Sequence, residues 1–128
     1  MANVENFVEV SWGDESRTHV RLTLHKMTSY SMVSEAFAAL HAFIREAPHT
    51  VDVIIVVRTN DVPKGFVYAV KQAEERTPPN VDRIVVVGGR QFTFQLIHEF
   101  LMSYRPSKRL SERYHFLKTE EQARQLLA

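Results

Sequence analysis

The fold is decided by the stretch Val51-Asp52-Val53-Ile54-Ile55-Val56-Val57 and by its close counterpart at Val81–Val87, about 30 residues later. Each stretch is a nearly continuous run of β-branched residues, which is typical of a strand covered on both faces. Between the two stretches, apolar residues fall at helical spacing: Phe66, Val67, Val70 and Ala73. Two buried strands joined by one helix predict a βαβ unit with a right-handed crossover.

The chain before this unit predicts a β-hairpin and a long helix. Val20, Leu22 and Leu24 alternate with polar residues, which indicates a strand with one buried face, and the stretch Phe7–Trp12 supplies its partner. From Ser31 the apolar residues change to helical spacing. We expect this helix to be capped by Ser29 or Ser31 and to end just before Pro48.

The chain after the unit predicts a helix, a short strand and a last helix. The first of these helices follows Gly88-Gly89 and carries Phe92, Leu96, Ile97, Phe100 and Leu101. The strand is Tyr114–Leu117, and Thr119 with Gln122 forms a capping box that opens the closing helix. The predicted order is β-β-α-β-α-β-α-β-α, and the fold class is a single α/β domain over residues 1–128, with a mostly parallel sheet and flanking helices.

Composition excludes several classes of function. The 128 residues include 45% hydrophobic residues, so the chain can build a core. Sixteen Lys plus Arg against fifteen Asp plus Glu leave a net charge of +1, which gives no support to nucleic-acid binding. The absence of cysteine excludes disulfides and thiolate sites. With no targeting signal and no apolar run of bilayer length, we expect a cytoplasmic protein without a transmembrane segment.

No catalytic or metal-binding motif emerges from the sequence. The six histidines form no metal-binding helical pair, and His41 and His98 each border the apolar stripe of a helix, as a boundary histidine does. Nucleophile-elbow, Walker and dinucleotide motifs are absent from the sequence as well. We therefore expect no metal, no cofactor, no catalytic residue and no enzymatic activity.

Polar residues follow the predicted parallel strands, where ligands of open α/β sheets usually bind. Lys118 follows the last strand, and the other strands are followed by a rim: Arg58, Thr59, Asn60, Asp61, Lys64, Gly88, Gly89 and Arg90. The rim predicts a docking surface or an anion site, because it holds cations and backbone N–H groups at the start of a helix. Two alternatives are that these are ordinary solvated loops and that the paired glycines form a tight turn.

Two further groups of residues suggest binding. Several aromatic residues predict either a pocket for an apolar or amphipathic ligand between helices and sheet or ordinary core packing: Phe66, Tyr68, Phe92, Phe94, Phe100 and Tyr104. A local basic cluster predicts either a solvated loop or a contact with an acidic partner: Arg105, Lys108, Arg109 and Arg113. An exposed Phe7 or Trp12 beside the edge strand leaves a homodimer open.

The whole pattern resembles the STAS domain, found in sulphate transporters and anti-sigma-factor antagonists. The resemblance covers nearly the whole chain and is strongest in the stretches Asn80–Gly88 and Thr119–Leu127. Antagonist members carry a phosphorylatable serine at the start of the helix that follows the third strand. Here the corresponding stretch, Arg58–Gly65, contains no serine, and Thr59 comes several residues too early.

Standalone bacterial STAS-like proteins are thus a better comparison for this chain than the antagonists. That resemblance implies a non-enzymatic regulatory module that docks a protein partner without the usual phosphoserine. The alternative is a binder of a small apolar, lipid-like ligand.

Overall fold

The structure is a computed structural model that describes residues 7–59, 61–88 and 113–128. Five strands lie in these ranges: β1 (Val8–Trp12), β2 (His19–Leu24), β3 (Val51–Val57), β4 (Val81–Val87) and β5 (Tyr114–Leu117). Three helices lie there too: α1 (Tyr30–Arg45), α2 (Phe66–Glu75) and α3 (Glu120–Leu127). The protein therefore has the α/β fold class that the sequence predicts.

All five strands form one sheet in the order β1-β2-β3-β4-β5. β1 is antiparallel to β2, and every other neighbouring pair is parallel. The prediction of a hairpin followed by a mostly parallel sheet is therefore confirmed. Because the parallel strands follow one another in a single direction, right-handed crossovers place α1 and α2 on the same face of the sheet.

The two faces of the sheet carry two apolar clusters. Alternate residues of β3, such as Val53 and Ile55, contact the larger cluster, which contains the buried sides of α1 and α2. Ile54 and Val56 point to the opposite face, where they pack with Ala123 of α3. The near-continuous apolar sequence of β3 thus follows from burial on both faces.

Side-chain hydrogen bonds cap the helices where the sequence predicts caps. The Ser29 hydroxyl accepts a hydrogen bond from the Met32 N–H at the start of α1, and the Thr119 hydroxyl accepts one from the Gln122 N–H at the start of α3. The Gln122 side chain in turn accepts a hydrogen bond from the Lys118 N–H, at 3.1 Å. These bonds satisfy N–H groups that have no partner within a helix.

Some sequence expectations differ from the structure or lie outside the described residues. β2 is buried on both faces rather than one, since Thr23 on the second face is only 1% exposed. His41 is also deeper than a boundary residue, at 6% exposure. The expected helix over Phe92–Leu101, and with it the complete order of elements, lies outside the described residues.

Phe7 and Trp12, which the sequence offers as dimer contacts, both pack against the larger cluster of their own chain. The centroid of the Trp12 ring lies 5.2 Å from the ring centroid of Phe43 and 6.0 Å from that of His49. Within the described part of the chain, no helix combines the length and apolar character needed to cross a bilayer.

Candidate functional site at the carboxyl edge of the sheet

The four parallel strands end level with one another. The strand register pairs Leu24 with Val57, Val56 with Val87, and Val87 with Leu117. The residues that follow these strands are consequently neighbours at one edge of the sheet, which we call the carboxyl edge. This is the edge at which open α/β sheets place their ligands.

An open cleft of about 470 Å³ lies at this edge, between the strand ends and the start of α3. We call it the edge cleft. It is lined by Val56, Val57, Arg58, Val87, Gly88, Lys118, Thr119 and Glu120. The structure thus brings Arg58 and Gly88, two residues of the predicted rim, together with Lys118 in a single concave surface.

Glu120, the first residue of α3, is the centre of the charge network in the edge cleft. Arg21 of β2 donates two hydrogen bonds to its carboxylate, at 2.6 and 3.0 Å. Arg58 makes a longer contact of 3.4 Å with the same carboxylate. The hydrogen bond from Arg21 holds the pKa of Glu120 below its usual value, with the charges of Arg21 and Arg58 acting in the same direction. Glu120 is therefore ionised at neutral pH.

The loop between β3 and α2 carries the rest of the predicted rim that the structure describes. The Thr59 hydroxyl accepts a hydrogen bond from the Asp61 N–H at 3.1 Å, which folds the loop back on itself. Asp61 and Lys64 are exposed, and Thr59 is half-buried. None of the three residues lines the edge cleft, so the loop offers a second, adjacent surface.

Two tyrosines stand beside this loop. Tyr30 begins α1, and its hydroxyl is hydrogen-bonded to Gln72 of α2. Its ring stacks on that of Tyr68, with 5.9 Å between ring centroids. Tyr68 nevertheless remains 57% exposed, so it does not belong to an internal pocket. The stacked pair presents a fixed aromatic surface at the start of both helices.

The residues predicted to line an apolar pocket fall in different places. Phe66 lines an apolar cavity between the sheet and helices α1 and α2, together with Phe37, Val70, Tyr114 and others. This cavity has a volume of about 40 Å³. Small-molecule pockets usually span roughly 300–1,000 Å³, so the cavity is far smaller than a lipid-like ligand requires.

Several predicted site residues lie outside the described part of the chain: Asn60, Gly89, Arg90, Phe92, Phe94 and Phe100. Of the predicted basic cluster, the structure describes Arg113. Its guanidinium donates a hydrogen bond to Glu74 of α2 at 2.7 Å, and the Tyr114 hydroxyl donates another to the same carboxylate at 2.5 Å. Arg113 thus ties β5 to α2.

Sequence reasoning missed Arg21, Tyr30 and Glu120. For Arg21 a signal existed, because the alternation along β2 places it opposite the apolar face, where a cation on a sheet needs an acidic partner. Its partner lies 99 residues away in sequence, so pattern alone gave no means of choosing it.

The described residues contain no group of three or more His, Asp or Glu side chains placed to hold a metal ion. No protein-family model, curated protein or solved structure matched the chain.

Proposed function

We propose that this protein is a non-enzymatic STAS-like regulatory domain that docks a protein partner at its carboxyl edge. The observation that carries the proposal is the exposed ring of Tyr68, which is held in place by stacking on Tyr30 beside a charged loop. Tyrosine and arginine are enriched among the residues that dominate binding energy in protein interfaces. Arg58 follows β3 at this edge, Lys64 lies in the loop after it, and Tyr68 lies in the first turn of α2, so this part of the chain supplies that chemistry.

The rigidity of the surface supports docking as well. Tyr30 is fixed by its hydrogen bond to Gln72, and the Thr59 hydroxyl constrains the loop through the Asp61 N–H. A surface ordered before binding loses less conformational entropy when the partner arrives. The docking surface we propose therefore consists of Arg58, Asp61, Lys64 and Tyr68.

The alternative, an apolar ligand between helices and sheet, requires a cavity several times larger than the 40 Å³ that Phe66 and its neighbours enclose. It stays a prediction, and the volume of this cavity favours the protein partner. The absence of serine from Arg58–Gly65 separates the proposed docking from the phosphorylation switch of antagonist members.

Photo-crosslinking in cells that express the protein naturally tests the docking surface. A photoreactive p-benzoylphenylalanine replaces Lys64 in the loop just before α2 or, as a control, Glu75 at the far end of that helix. We expect a heavier adduct from position 64 that is absent from position 75, and we expect Tyr68→Ala to reduce its yield strongly.

Equal adducts from both positions, or no adduct from position 64, would contradict docking at this edge. An adduct that Tyr68→Ala leaves unchanged would contradict the assigned role of the tyrosine. Mass spectrometry of the purified native protein tests the alternative of an apolar ligand. A bound apolar molecule would appear as an additional mass on the protein.

A further inference from the structure

The edge cleft carries more positive charge than its own carboxylate needs. Arg21 already satisfies Glu120 through two hydrogen bonds, and both of these side chains are less than one-third exposed, at 27% and 23%. The second cation, Arg58, makes a single 3.4 Å contact with the same carboxylate, and its side chain is 49% exposed. Arg58 can therefore turn toward an incoming group without leaving Glu120 unpaired.

Lys118 adds a further cation to the same wall. It is exposed, and it lines the cleft beside Gly88 and Thr119. Within the described ranges its ammonium group has no ion pair, whereas its backbone N–H is held by Gln122. The cleft thus presents one arginine and one lysine around a floor that Val56 and Val87 form.

The mixture of groups in the cleft selects among anions. A dianionic phosphate would lie against the ionised carboxylate of Glu120, and this repulsion offsets part of the attraction to the two cations. A monoanionic carboxylate on an aliphatic stem suffers less repulsion and also covers the valine floor. The volume of the cleft, about 470 Å³, admits several atoms beyond the charged group, as a peptide side chain requires.

Resting on the docking function proposed above, we infer that the partner inserts an acidic segment into the edge cleft. A Glu or Asp carboxylate of that segment accepts hydrogen bonds from the Arg58 guanidinium and pairs with the Lys118 ammonium. Tyr68 and Lys64 then contact the same partner outside the cleft. Arg58 and Lys118 are therefore the residues that we expect to recognise the acidic segment of the partner.

Titration of the ¹⁵N-labelled full chain tests the site directly. The probe is a capped tetraglutamate peptide, and its neutral match is a capped tetraglutamine peptide. We expect the acidic peptide to shift the amide signals of Arg58, Gly88 and Lys118, and the neutral peptide to leave them in place. Arg58→Gln and Lys118→Gln should each weaken binding roughly two- to fivefold, the size of one partly exposed charge contact.

Two variants control for charge and folding. Arg76→Gln removes the same charge at the end of α2 distant from the cleft, and it should leave the affinity unchanged. Arg58→Lys keeps the charge and should retain most of the binding, which separates loss of charge from loss of fold. Equal weakening by Arg76→Gln would overturn the proposal, since it would show binding to the general charge of the protein.

Inorganic phosphate is titrated in the same way, as a competing anion. If phosphate occupies the cleft more tightly than the tetraglutamate peptide, or if neither produces shifts there, the assignment to an acidic segment is wrong. The photo-crosslinking result is independent of this outcome. Loss of the adduct with Tyr68→Ala but not with Arg58→Gln would leave docking intact and overturn only the acidic segment.

Discussion

At the scale of single residues, the backbone angle φ of Gly65 sets the conformation of the loop between β3 and α2, which carries the proposed docking surface. Gly65 has a φ of 85° at the residue that precedes α2. A Cβ atom at this position would lie 3.2 Å from Cδ2 of Tyr30. Glycine is favoured here by its backbone conformation, and a Cβ atom would also press against the tyrosine ring, so a substitution would strain both the loop and the stacked tyrosines.

We expect Gly65→Ala to lower the free energy of unfolding by about 1–2 kcal/mol, because an alanine pays this much in the left-handed region. Gly65→Asn should cost less, since asparagine tolerates that region better. Urea unfolding of the three proteins measures the difference. Equal stability of the alanine variant and the natural protein would show that the angle is not needed.

The buried His41 makes the stability of the protein depend on pH. Burial, assisted by the charges of Arg45 and Arg76, lowers the pKa of His41 from 6.5 to about 4. Between these values the unfolded chain binds a proton that the folded protein does not. The free energy of unfolding therefore falls as the pH drops from about 6.5 toward about 4.

His41→Leu should remove this part of the pH dependence, since leucine fills the site without titrating. Urea midpoints at pH 7.5 and pH 4.5 measure it, with His115→Gln on β5 as the control for loss of a histidine elsewhere. NMR titration of the His41 ring in the natural protein gives the direct test. A midpoint near 6.5 would contradict the effect of burial.

At the scale of elements, α3 is the clearest case of a segment that tertiary contacts must hold. It has eight residues, and isolated helices shorter than about 12–15 residues are marginal in water. Its contacts with the sheet include the buried Ala123, the pair of Glu120 with Arg21, and a 3.2 Å hydrogen bond from Arg83 to the Leu126 carbonyl. The Thr119 cap and the inward position of Ala123 were predictable from sequence, whereas the partners of Glu120 and Arg83 were not.

Glu120→Gln should destabilise the protein by about 1 kcal/mol at pH 7, because it leaves the half-buried Arg21 without its charged partner. The lowered pKa of Glu120 means that its contribution is present above the unfolded value of 4.5 and is lost as the pH falls through the lower folded value. The variant and the natural protein should thus converge in stability toward pH 3.

Urea unfolding at pH 7 and pH 3 checks this convergence. Glu121→Gln, which changes the exposed neighbouring carboxylate, is the matched control and should have little effect at either pH. A difference between Glu120→Gln and the natural protein that persists unchanged at pH 3 would refute the role of the ionised carboxylate.

At the scale of the whole molecule, one sheet connects all the described elements. The larger apolar cluster joins β1–β4 to α1 and α2, and the smaller cluster joins β3 and β4 to α3. Because β3 and β4 contribute to both clusters, loosening one face of the sheet weakens the other. The prediction of a single domain from sequence implies that the two faces unfold together.

We therefore expect one cooperative unfolding transition. Fluorescence of Trp12, the sole tryptophan, reports on β1 at one side of the sheet, and far-UV circular dichroism reports on all the helices and strands. A Trp12→Phe, Phe116→Trp variant moves the probe to β5 at the other side. Coincident midpoints are expected from all three measurements. Separate midpoints for the β1 and β5 probes would show two folding units.

The sequence by itself determined the elements that the structure describes. The runs at β3 and β4, the short strand Tyr114–Leu117 and the caps at Ser29 and Thr119 were all predictable, because periodicity and capping depend on residues only a few positions apart. The sequence also placed Arg58 and Lys118 at the same edge of the sheet, as the cleft shows. Tertiary structure alone decided which side chains contact each other: Glu120 with Arg21, and Tyr30 with Tyr68. These contacts depend on strand register and on the face of the sheet that each helix covers, and no local sequence pattern encodes either one.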